Sequence, residues 1–223
     1  MSTAPNHDQR GEECAMAHVD HELLDYALAN RELDHDRRCG RLTAWERRKL
    51  ICEALAIGRA AARRFHGAAP SELAARLGVT VCERAGSGEI ARSRVRSEYD
   101  SGTRLITIYL ESIQDVQTEL DFLCPWLKER WGGVACAAAR ELHIAHELFH
   151  HLEATVLGRV DDILSRGARP SAPALRGTIR IKACREIAAH RFAADLVGLP
   201  FLPIALDVAP AGQSRHPSYF IDL

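Results

Sequence analysis

Two histidines four residues apart, with a glutamate beside the first, are the part of this 223-residue chain best suited to chemistry: His146-Glu147-Leu148-Phe149-His150, an H-E-x-x-H motif. On a helix, positions i and i+4 share a face. Both imidazoles can therefore offer a nitrogen to one metal ion. Glu147, off that line, can reach a water at the ion without becoming a ligand. Two neutral nitrogen donors, an open coordination position and a carboxylate that accepts a proton are what zinc-assisted hydrolysis requires. Composition alone can also produce a His-rich helix: the chain holds 11 histidines, and His143 and His151 flank the motif. Pairing His143 with His146, or Glu147 with His151, supplies neither two i, i+4 ligands nor a carboxylate beside the first.

These residues need a helix beneath them, and the spacing predicts one over residues 134–157. The stretch is rich in Ala and Leu, lacks Pro and Gly, and is stopped by Gly158. Val134, Ala138, Leu142, Ala145, Phe149, Leu152 and Val156 form an apolar stripe for burial. Zinc in a hydrolytic site usually takes three protein ligands. The next strong helix, residues 179–197, offers Glu186, His190 and Asp195. Glu186 could pair with Lys182 at i−4, as on any exposed helix. Its neighbours Ile181, Cys184, Ile187, Phe192 and Leu196 argue for burial, and a buried carboxylate needs a partner. Glu186 is therefore favoured as third ligand. His190, one turn on, is the alternative ligand, or a group that orients the ligands or stabilises the transition state. His216 and Tyr219 are further candidates to stabilise an oxyanion.

Elsewhere, residues 1–17 read as loosely attached, 17–30 as a short helix and 31–41 as a polar loop or solvated helix end. Thr43 with Glu46 makes a capping box for a helix to about residue 65. Residues 70–80, PSELAARLGVT, resemble the start of a DNA-binding helix-turn-helix. The continuation VCERAGSGEI is β-rich and then broken by glycine, so helix, strand and turn are expected instead. Residues 90–99 read as a solvent-facing strand, and residues 104–110, RLITIYL, as the best strand in the chain, along which an extended peptide could add. Residues 111–130 are helical in pattern, broken at Pro125, with Trp126 and Trp131 packing nearby. Residues 159–165 read as an acidic turn, and Thr178 as a helix cap.

Composition narrows the class. The formal net charge of −1 gives no reason to expect direct nucleic-acid binding or an acidic membrane surface. No apolar run approaches the roughly 20 residues of a membrane span, and the polar N-terminus lacks a secretory h-region, so a cytoplasmic protein is expected. Seven cysteines, odd in number and without C-x-x-C, are expected to be reduced fillers.

The order of elements, with PSELAARLGVTV, RLITIYL, RELHIAHELFHH and then Glu186-x-x-Ala189-x-x-Phe192-Ala193-Ala194-x-Leu196 before Pro200, resembles the ImmA/IrrE-type metallopeptidases over roughly residues 46–202. H-E-x-x-H is shared by many zincins, whereas the E-x-x-A-x-x-F-A-x-x-L element is more particular to this family. The chain departs from the pattern at Phe149, where a small residue is usual, and in its long 111–133 stretch. The resemblance implies zinc bound by His146, His150 and Glu186, and water activated by Glu147. It also implies cleavage of a cognate helix-turn-helix repressor, relieving transcription in a stress response or mobile-element induction.

The expected fold is α+β, a zincin-like metallopeptidase domain with a small sheet flanked by helices and the motif helix beneath it. Residues 1–45 form an N-terminal helical extension, 46–205 the metallopeptidase domain and 206–223 a tail. Two competing functions are a zinc-containing regulatory module that binds a repressor or other partner without cutting it, and a di-iron carboxylate bundle. The latter would use Glu147-x-x-His150 and Glu32-x-x-His35.

Overall fold

Short side chains set the spacing of the helices. The structure, a computed structural model, describes residues 21–90, 93–133, 136–167 and 180–208. Helix α8 (Ala183–Val197) buries Ala188, Ala189, Ala193 and Ala194. It packs between α2 (Ala44–Arg63) and α6 (Ala137–Leu152). Gly58 of α2 permits the closest approach: a Cβ there would stand 2.4 Å from the Ala188 carbonyl oxygen. Phe149 of α6 and Phe192 of α8, both fully buried, fill the other interface with ring centroids 5.5 Å apart.

The start of α2 is the capping box that the sequence predicts. Glu46 N donates to Thr43 Oγ1 at 3.2 Å and Thr43 N to Glu46 Oε2 at 2.8 Å. Helix α1 (His21–Asp34) packs on α2 and α8 through Leu24, Leu28, Ala29 and Leu33, so these residues of the expected extension belong to the same core. Of the two readings offered for residues 31–41, its last residues to Asp34 take the solvated helix end, and a 3-10 turn, Arg37–Arg41, follows. Leu33 and Cys39 supply the burial that their charged neighbours conceal.

Helix α3 (Pro70–Arg76) leads into β1 (Thr80–Arg84), not into a second DNA-binding helix. Three short strands stand where one was expected around residues 90–99: β2 (Gly88–Ile90) and β3 (Ser93–Val95), an antiparallel pair, then β4 (Ser97–Asp100). With β1 and β5 (Leu105–Tyr109) they are the strands of the described residues, and the larger sheet has the order β1-β5-β4. β5 is parallel to β1, with Thr80 opposite Leu105, and antiparallel to β4, with Ser97 opposite Ile108. Both backbone edges of β5 are thus occupied, which corrects the expectation that a peptide could add along it. β1 and β4 are the outer strands, and β4 is the one that packs on α6.

Pro125 separates α4 (Leu110–Leu123) from α5 (Trp126–Arg130). α5 turns Leu127 inward and leaves Trp126 49% exposed, contrary to the packing expected of it, while Trp131 does pack on the core. α6 is shorter than the sequence suggests and continues as a π-helical turn, Glu153–Leu157, which rotates Val156 out to 67% exposure. Gly158, at φ 76°, ends it. The expected acidic turn is a helix, α7 (Val160–Gly167), anchored by buried Val160 and Leu164. A last short helix is α9 (Ala205–Val208).

The architecture is α+β, helix-rich, with a small mixed sheet. No helix among the described residues is long and apolar enough to cross a membrane. The expectations for residues 1–17, Val134, Thr178, His216 and Tyr219 lie outside the described residues.

Candidate metal centre

Three potential donor atoms meet between α6 and α8. His146 Nε2 lies 3.3 Å from His150 Nε2, and Glu186 Oε2 lies 3.3 Å from the first and 3.5 Å from the second. The two histidines stand one turn apart on α6, and α8, held close by its alanines, brings Glu186 across to them. Among the described residues this is the one group of three such side chains able to hold a metal ion. The spacing fits a bound cation, since nitrogen and oxygen ligands about 2.0–2.1 Å from a tetrahedral ion stand about 3.3–3.4 Å from one another. The Lys182 pairing considered for Glu186 is not made; its carboxylate faces the histidines.

Electrostatics binds the group together. Glu186 is 38% exposed at the side chain, less sheltered than the sequence suggested. Burial pushes its pKa up, but hydrogen bonds and charge from His146 and His150 hold it far below the usual carboxylate range. Burial pulls His150 down, yet hydrogen bonds to Glu153 and Glu186, with the charges of Glu186 and Glu147, carry it up to about 10. The His150 ring is gripped from behind: Nδ1 lies 2.8 Å from Glu153 Oε2.

Glu147 is nearly buried beside the cluster, and Ser97 of β4 donates to its Oε1 at 2.7 Å. A cleft of about 230 Å³ opens here, lined by Ser97, His143, His146, Glu147, Glu186 and His190 among others. His190 does not join the donor group; its ring centroid sits 4.7 Å from that of His146. Burial, then the adjacent His146, holds its pKa well below the ordinary value, and its buried Nδ1 has no hydrogen-bond partner among the described residues. His143 donates from Nδ1 to the Ala139 carbonyl at 2.7 Å, and burial brings it down to about 4. His151 turns away from the cluster, its Nδ1 2.7 Å from the Tyr99 hydroxyl. Asp195 is drawn off by Arg191. Glu32 and His35 pair with each other at 3.4 Å and stay out of the donor group.

Sequence reasoning named neither Ser97 nor Glu153. Glu153 lies three residues beyond His150, a spacing that places side chains within reach on a helix, so that signal was present. Ser97 carries none, because its contact depends on how the sheet packs on α6.

Fold and site together define a helix-rich α+β domain with a candidate metal centre of two histidines and one glutamate. No family model, curated protein or solved structure matches the chain.

Proposed function

We propose that this protein is a zinc-dependent endopeptidase of the ImmA/IrrE, zincin-like kind, acting on a helix-turn-helix transcriptional repressor. The observation that carries the catalytic part is the donor triangle of His146, His150 and Glu186, with Glu147 next along the helix. The repressor as substrate rests on the sequence resemblance.

Bound there, zinc would supply Lewis acidity, acidifying a water and polarising the scissile carbonyl. Glu147 takes the water's proton and returns it to the leaving amine. Ser97 holds one Glu147 oxygen, which fixes the carboxylate and leaves the other oxygen for the proton. His190, on the same cleft, is the described candidate to donate to the oxyanion. An extended substrate adds beside the outer strand β4 by backbone hydrogen bonds, next to the base that Ser97 holds.

Glu147→Gln should keep stoichiometric zinc and lower cleavage of a helix-turn-helix repressor substrate by about 10²–10⁴-fold. Cleavage at the wild-type rate would remove Glu147 from the role. A repressor bound but left uncut by the wild-type zinc protein would instead assign the site to a binding module.

A further inference from the structure

Glu153 is among the most buried carboxylates of the molecule, 3% exposed, and it sits at the first residue of the π-helical turn that follows the motif. One carboxylate gathers donors from three elements. His150 Nδ1 reaches Oε2 at 2.8 Å. Val160 N donates to Oε1 at 2.9 Å. Arg185 donates from Nε to both oxygens at 3.1 Å and from Nη2 to Oε2 at 2.9 Å. Gly158, at positive φ, turns the chain back so that Val160 can make its bond. Arg185 immediately precedes Glu186 on α8.

We propose that Glu153 is a positioning residue for the metal centre: it holds the His150 ring so that Nε2 faces His146 and Glu186. A carboxylate at this ionic contact only accepts, so Nδ1 carries a hydrogen and Nε2 is the nitrogen left to bind metal. Arg185 and Val160 hold the carboxylate in place from the side away from His150. A group serving the fold alone would be satisfied by Arg185 and Val160; the bond to His150 is the one that aims at the site. This role rests on the metal-site reading above.

The test uses the full-length protein, Glu153→Gln and Glu153→Ala. Zinc affinity is measured by competition with a chelating dye, and the Co²⁺-substituted proteins are compared by visible absorption. Glu153→Ala should weaken zinc 10–100-fold and alter the cobalt bands, with a smaller loss for Glu153→Gln. Wild-type affinity and cobalt bands in a folded variant would overturn the proposal. Where Glu153→Ala does not fold, Glu153→Gln decides by the same two readouts. Crystals of the metal-free wild type and variants separate this idea from its parent. If the wild type takes up no zinc, the metal reading falls. The role of Glu153 falls with it; where the wild type does bind zinc, a His150 ring unmoved in a folded variant overturns the role of Glu153 alone, and a displaced ring supports it.

Discussion

Helix α8 carries two clusters of charged side chains, and they are built on opposite logic. Towards α1, Arg191 donates to Asp25 at 2.7 Å and to Asp195, Arg59 lies 3.7 Å from Asp25, and Leu202 N donates to Asp25 at 3.1 Å. Guanidinium meets carboxylate, so opposite charges close the cluster, although Arg191 Nε has no hydrogen-bond partner among the described residues. Towards α6, Glu186 faces two imidazole nitrogens, and all three atoms are Lewis bases within 3.5 Å of one another. Such a group is stable only around a cation, whether protons or a metal. An ionic cluster that closes on itself is structural, and one whose lone pairs converge is a candidate binding site.

Four measurements would break or sharpen that contrast. Asp25→Ala should cost about 3–5 kcal/mol in denaturant unfolding, because it leaves Arg191 short of its buried partner, while zinc stoichiometry stays at wild type. Loss of zinc binding in that variant would mean the two clusters are not separable. Zinc at about 1,000 times its Kd should raise wild-type stability by about 4 kcal/mol. His146→Ala, His150→Ala and Glu186→Ala should forfeit this gain, and Asp25→Ala should retain it. Gly58→Ala, between α2 and α8, should cost about 1–3 kcal/mol through overpacking, despite the better helix propensity of alanine. A stabilised variant would show that the approach at Ala188 has slack.

The smallest effect concerns Asp161. Burial raises its pKa, but hydrogen bonds and charge from Arg159, with Arg185 and Arg180, outweigh that and hold it below the ordinary value. A depressed carboxyl contributes stability above its unfolded pKa of about 4, and the contribution disappears as pH falls through the folded value. Asp161→Asn should therefore be slightly less stable than wild type at pH 7. The two unfolding curves should converge below about pH 4, and a constant gap at all pH values would contradict the cause given.

What the sequence disclosed follows the reach of each interaction. The histidine pair, the Thr43–Glu46 cap and strand β5 rest on spacings of one to four residues and were legible. Glu186 was legible because apolar neighbours frame it, although its side chain proved only partly sheltered. The position of β5 at the centre of the sheet was not, since pairing order is a property of distant segments. Nor was α7, whose eight residues announce a helix weakly and whose fold depends on Val160 and Leu164 finding the core. The π-helical turn was not legible either, and it is what turns Val156 out of the apolar stripe drawn for the helix.

The placement of β4 has a consequence for what the cleft can distinguish. Ser97 and Tyr99 point to α6, where they hold Glu147 and His151, while Glu98 between them bonds Tyr109 instead. A guest chain laid along this strand inherits the same alternation. On the proposed function it would show the cleft only every second side chain, so a substrate would be constrained at alternating positions and free at those between.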